Sequence, residues 1–98
     1  MNDLASKLST EQIAELLTQV WGWEVVDGHH LFKRWGFNNF AKPLQFVNMI
    51  AEIAEQEGHH PDIRLGWGYL EVTILTHEID GLSKNDFILA AKIDARDL

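Results

Sequence analysis

The chain has 98 residues, 46% of them hydrophobic, with 8 Lys+Arg against 15 Asp+Glu, a formal charge of −7 and no cysteine. That length holds one domain and buries a modest share of its surface, so stability can lean on partners. The missing cysteine excludes a disulfide scaffold, a thiolate nucleophile and a Cys-ligated metal or iron–sulfur site, and the acidic balance argues against a phosphate-backbone binder, which needs a basic footprint.

No apolar run approaches the roughly 20 residues of a membrane span. Residues 1–20 lack the charged and apolar regions of an export signal, so a cytoplasmic location is expected for one domain spanning 1–98. Met1 to Leu8 read as its loose end. Ser9 and Gln12 form a capping box ahead of Ile13, Leu16, Leu17 and Val20, which predicts a short amphipathic helix ending near Gly22. Trp23 to Val26 is rich in strand formers, and Asp27-Gly28 is a hairpin turn signal. From Leu31 to Phe37 the chain alternates: Leu31, Lys33, Trp35 and Phe37 point one way, Phe32 and Arg34 the other.

Asn38-Asn39 breaks that strand. A helix is predicted over Lys42 to Glu57, with Pro43 in its first turn and Gly58 as its stop. Its apolar residues Leu44, Phe46, Val47, Met49, Ile50, Ala51, Ile53 and Ala54 spread over about 220° at about 100° per residue. Packing on one sheet needs roughly 100°, so the excess asks for a second partner, and another subunit is the expected one. Ile63 to Leu65 and Tyr69 to Thr76 make a second strand pair, joined at Gly66-Trp67-Gly68. Leu70, Val72 and Ile74 take one face of the last strand; Tyr69, Glu71, Thr73, Leu75 and His77 take the other. Ser83 with Asp86 forms another capping box before Phe87, Ile88, Ala91 and Ile93. The order α-β-β-α-β-β-α predicts an α+β two-layer sandwich, a four-stranded antiparallel sheet with helices on one face.

The chemistry-bearing residues are five histidines in three places: His29-His30, His59-His60 and His77. Imidazole gives and takes protons near neutral pH without a large pKa shift. Strand pairing brings the start of one strand beside the end of the next, so His59, His60 and His77 are expected to converge. Acid–base chemistry is one reading of that trio, polar surface another. A three-histidine metal site is a third, made awkward because adjacent histidines project differently. His29-His30 reads as a solvated turn at another part of the sheet. Trp23 and Trp67 can wall a planar ligand or simply join the core. Asp86 can act on a ligand or only cap a helix, and Glu55 can orient an imidazole or face water. No phosphate loop, nucleotide fingerprint or nucleophile elbow is present.

Glu55-Gln56-Glu57-Gly58-His59-His60-Pro61, then Trp67, Thr76-His77-Glu78, Gly81-Leu82-Ser83 and Asp86, resemble the pterin-4a-carbinolamine dehydratase family. Gly22-Trp23, Phe32-Lys33 and Phe37 resemble its first hairpin, and the likeness runs from about Leu8 to Ile93. The resemblance implies dehydration of a 4a-hydroxytetrahydropterin to the quinonoid dihydropterin, recycling the cofactor of aromatic amino-acid hydroxylases. It implies no metal and no organic cofactor. His59 and His77 become the proton-transfer candidates and His60 the residue that orients the pterin. Glu55 and Asp86 would tune the imidazoles, with Trp67, Thr76, Glu78 and Trp23 as further substrate contacts. It also implies a tetramer, a dimer of dimers joined through helix 42–57 and a sheet edge. The alternative is a non-catalytic pterin-binding or dimerisation module of the same fold.

Overall fold

The computed structural model describes residues 3–97. Helix α1 is Thr10–Leu17, followed by strands β1 (Glu24–Val26) and β2 (His30–Gly36) and helix α2 (Ala41–Glu57). Strands β3 (Asp62–Gly66) and β4 (Tyr69–Ile74) and helix α3 (Lys84–Arg96) complete the predicted order. The strands form one sheet in the order β1-β2-β4-β3, each pair antiparallel.

Local chemistry sets the element ends. At α1, the Gln12 N–H donates to Ser9 Oγ at 3.2 Å and the Ser9 N–H donates to Gln12 Oε1 at 2.8 Å, the expected reciprocal cap. The helix stops at Leu17, earlier than expected, and turns carry the chain past Val20. Gly58 ends α2 at φ +63°, a conformation that costs glycine little. Asp27 and Gly28 both have positive φ, in the three-residue loop between the paired Val26 and His30. Met1 and Asn2 lie outside the described residues. From Leu8 onward the expected loose end is docked, because Leu8 is buried and its N–H donates to the Leu82 carbonyl at 2.9 Å.

The core lies between one face of the sheet and the helices. Leu31, Leu70, Val72 and Ile74 meet Ile50 and Ile53 of α2 and Phe87, Leu89, Ala90 and Ile93 of α3. The buried face of α3 thus runs through Leu89 and Ala90, while Ala91, expected on it, is exposed. On α2, Pro43, Ile50, Ile53 and Ala54 are buried and Phe46, Val47 and Met49 partly so. Leu44 stays 43% exposed and Ala51 is exposed, so one chain leaves part of the apolar arc uncovered.

The alternation along β2 puts Lys33 on the core side, opposite Val72. Its Nζ donates to the Trp21 carbonyl at 2.6 Å and to Asp94 Oδ1 at 3.2 Å, and it lies over the Trp35 ring. Asp94 also accepts the Trp23 Nε1–H and the Trp21 N–H, each at 2.9 Å. Asp94→Ala therefore strips three donors of a shared acceptor. The Trp21 N–H is exposed and Lys33 keeps the Trp21 carbonyl, so the expected loss is roughly 1–3 kcal/mol, about that of one stranded donor at the part-buried Trp23 indole. Urea denaturation checks it, and an unchanged midpoint would contradict it.

Candidate functional site

The register explains where the histidines meet. Asp62 pairs with Thr73 and Leu31 pairs with Ile74, so the start of β3, the end of β4 and the start of β2 share one end of the sheet. His59-His60 precede that start of β3, and His77 follows that end of β4. Strand β4 stops at Ile74, short of the expected Thr76. Thr76 makes an isolated bridge to Gly81, and His77–Ile79 form a 3-10 turn. The expected convergence is present, with His77 on this turn and not on the strand face assigned to it. Gly58, His59, His60, Leu75, His77 and Glu78 line a shallow recess of about 150 Å³.

Beneath the recess lies a closed polar network. Asp86 and Ser83 are fully buried and Thr76 nearly so. Asp86 Oδ2 accepts the Ser83 N–H at 2.8 Å and the Thr76 hydroxyl at 2.9 Å. With that proton committed, the Ser83 hydroxyl donates to Thr76 Oγ1 at 2.7 Å. Asp86 reaches back to its cap residue as the sequence predicts. Its other oxygen, Oδ1, lies 2.6 Å from His59 Nε2. A carboxylate only accepts, so the network places the ring proton of His59 on Nε2 and leaves Nδ1 as the acceptor. No described buried side-chain nitrogen or oxygen lacks a partner, and His59 Nδ1 has none, so Nδ1 keeps access to solvent on a residue that lines the recess.

The other two histidines sit differently. His60 Nε2 is hydrogen-bonded to Glu55 Oε2, both side chains being exposed. Glu55 lies two residues before the end of α2. His77 is exposed, and among the described residues neither ring nitrogen has a hydrogen-bond partner. Glu78 is exposed on the recess rim.

Of the expected substrate contacts, Trp23 and Trp67 lie away from the recess in this chain, and Thr76 lies beneath it with its hydroxyl turned inward. Trp23 is 5% exposed and tied to Asp94 within the core, edge-on to Trp35. Trp67 is 70% exposed at the β3–β4 turn, the far end of the hairpin from Asp62. The four residue steps from Asp62 to Gly66, at about 3.3 Å each, set that turn roughly 13 Å along the strands from the histidine end. Thr76 turns its hydroxyl inward to Asp86. His29, expected at another part of the sheet, is at this same end, with Nε2 2.7 Å from Asp80 Oδ1. Asp80-Gly81 is a turn dipeptide like Asp27-Gly28, and Asp80 adopts φ +48°.

The hydrogen bond from His29, and then its charge, hold the Asp80 carboxyl below its ordinary 3.8, with Lys7 and His77 adding to the effect. A depressed carboxyl contributes stability above the unfolded value and loses it as pH falls through the folded one. Carboxyl NMR titration is expected to show Asp80 protonating below 3.8 and returning toward it in His29→Leu. An ordinary value in the unmodified chain would contradict this.

Comparison with known proteins gives a consistent answer. The family model described as Pterin 4 alpha carbinolamine dehydratase matches residues 6–96. The chain belongs to the pterin-4a-carbinolamine dehydratase family. A relative from Rubrobacter xylanophilus, provisionally named pterin-4-alpha-carbinolamine dehydratase, is 52% identical over 87 residues, covering 89% of this chain and 81% of its own. One of the same provisional name from Alkaliphilus metalliredigens is 42% identical and covers 96% of each. A transcriptional coactivator/pterin dehydratase from Brucella melitensis superposes with TM-score 0.85 at 28% identity, over 92% of this chain and 97% of that one. A pterin dehydratase-like protein identified as a RuBisCO assembly factor in the alpha-carboxysome has TM-score 0.60 at 27% identity, over 78% and 87%. The dehydratase family and the α+β fold thus agree with the resemblance read from the motifs. Among the described residues no helix is long and apolar enough to cross a membrane.

Proposed function

We propose that this protein dehydrates a 4a-hydroxytetrahydropterin to the quinonoid dihydropterin by histidine acid–base catalysis. The observation that carries the reading is His59 with Nε2 on buried Asp86 and Nδ1 open at a recess shared with His77. The C4a hydroxyl must leave as water, because hydroxide is a poor leaving group, so an acid must protonate that oxygen. The N5 lone pair forms the C4a=N5 bond as the C4a–O bond breaks, and N5 loses its proton to a base. His59 suits the base: Nδ1 takes the proton, and Asp86 faces the second N–H of the imidazolium that results. This is the nucleophile-base-orienter logic with a pterin proton in place of a nucleophile's. His77 suits the acid, since its ring is exposed and uncommitted. His60, set by Glu55, and Glu78 at the rim suit the pterin's donor-rich edge.

A recess of about 150 Å³ on one chain is smaller than the roughly 300–1,000 Å³ of most ligand pockets. We assign the rest of the enclosure to a second copy. The uncovered Leu44 and Ala51 on α2 and the open edge of β3 are the surfaces for a dimer of dimers. A sedimenting species of one-chain mass would contradict this. The expected setting is cytoplasmic, in pterin recycling beside an aromatic amino-acid hydroxylase.

The likeness to a RuBisCO assembly factor favours a second reading, a non-catalytic module. A hydroxylase-coupled assay with the uncatalysed rate subtracted separates the two. Acceleration of quinonoid dihydropterin formation supports the enzyme. Pterin-induced shifts at His59, His60 and His77 without acceleration support a pterin-binding module, and neither effect supports a role in assembly.

A further inference from the structure

We propose that His29 is a positioning residue: through Asp80 it holds the turn that presents His77 and Glu78 to the recess. The proposal rests on the reading of His77 as a reacting group. The base of the turn is well held. The Thr76 N–H donates to the Gly81 carbonyl at 2.9 Å, and the Thr76 hydroxyl is locked on Asp86. The tip is held less well. Within it, the Ile79 N–H donates to Thr76 and the Asp80 N–H to His77, at 3.2 and 3.1 Å. Among the described residues, His29 Nε2 to Asp80 Oδ1 at 2.7 Å is the side-chain hydrogen bond that ties residues 77–80 to another element.

His29 is a rigid anchor. It closes the Asp27-Gly28 turn, its own N–H donating to the Val26 carbonyl at 2.9 Å. Its Nδ1 lies 2.9 Å from His30 Nδ1, and the two rings meet edge-on at 86°. With Nε2–H given to Asp80, neutral His29 accepts at Nδ1 and His30 donates. The ring is therefore fixed at both nitrogens, and His30 belongs to paired strand β2. Asp80 completes the device. Its positive φ is one that Asp and Asn adopt more readily than other side chains. Lys7 packs over the neighbouring Gly81, where a Cβ would come within 2.9 Å of Lys7 Cε. His29, Lys7 and His77 are the charged or titratable groups acting on Asp80.

The pair is surface-exposed, 36% at His29 and 88% at Asp80, so its expected effect is on the turn and not on global stability. The test compares His29→Leu with His29→Gln, whose amide Nε2 can still donate to Asp80. In His29→Leu, hydrogen exchange of the Asp80 amide is expected to rise about two- to fivefold, with kcat falling by a like factor and KM little changed. His29→Gln is expected to restore both. Unaltered exchange in His29→Leu, or unaltered kcat in an active enzyme, overturns the proposal. Faster exchange in a chain whose unmodified form shows no dehydration supports the tether and removes the dehydration reading instead.

Discussion

Asp86→Asn is expected to lower kcat by on the order of 10²–10⁴, the range of a lost general base, while the chain still folds. The reason is tautomeric. An amide has one acceptor oxygen and one donor NH₂, whereas the Asp86 carboxylate accepts on both sides. The Oδ2 side receives the Ser83 N–H and the Thr76 hydroxyl, so the amide oxygen belongs there. Turned the other way, two N–H groups would oppose each other in a buried site, at about 1–3 kcal/mol. The NH₂ then faces His59 Nε2, which must accept, and the ring proton moves to Nδ1. That nitrogen can no longer take a proton from N5. Nitrogen-resolved NMR of His59 reads the switch directly. An unchanged tautomer together with wild-type kcat would contradict the argument. Asp86→Ala is harsher: it leaves His59, Thr76 and Ser83 without their acceptor, and a loss of roughly 3–5 kcal/mol is expected.

His77→Ala is the second large effect. His77 is exposed and has no hydrogen-bond partner among the described residues, so the fold should change by no more than about 0.5 kcal/mol. Its removal takes away the proposed acid at the C4a oxygen. The catalysed part of the rate is expected to fall on the order of 10²–10⁴, with the uncatalysed dehydration subtracted. KM should change little, because His60 and Glu78 remain to hold the pterin. Turnover equal to that of the unmodified protein would remove His77 from the mechanism.

The features legible in the sequence are those set by neighbours a few residues apart. Ser9 with Gln12, Ser83 with Asp86, Asp27-Gly28 and the Gly58 stop each mark an element end where it occurs. Given the strand pairing they imply, the meeting of His59, His60 and His77 follows. What was not legible depends on distant partners. Trp23 has the composition of a ligand wall, but its indole N–H is claimed by Asp94, 71 positions on. Trp67 shares the family motif, but the hairpin register carries it to the far end of the sheet. His29 reads as a solvated turn residue until the β2–β4 pairing brings it to Asp80, 51 positions away. Asp86 was visible as a cap. Only the family resemblance put it beside the imidazoles; the contact itself, with His59 27 positions earlier, comes from the packing of α3 against α2.

In the proposed reaction two imidazoles on this chain move the protons of the dehydration. Stopped-flow formation of quinonoid dihydropterin from freshly generated 4a-hydroxytetrahydropterin tests it most directly, comparing buffer, the unmodified protein and His59→Gln/His77→Ala. Clear acceleration by the unmodified protein is expected, with a return to the buffer rate in the folded double variant. A double variant as fast as the unmodified protein, or an unmodified protein no faster than buffer, would contradict it.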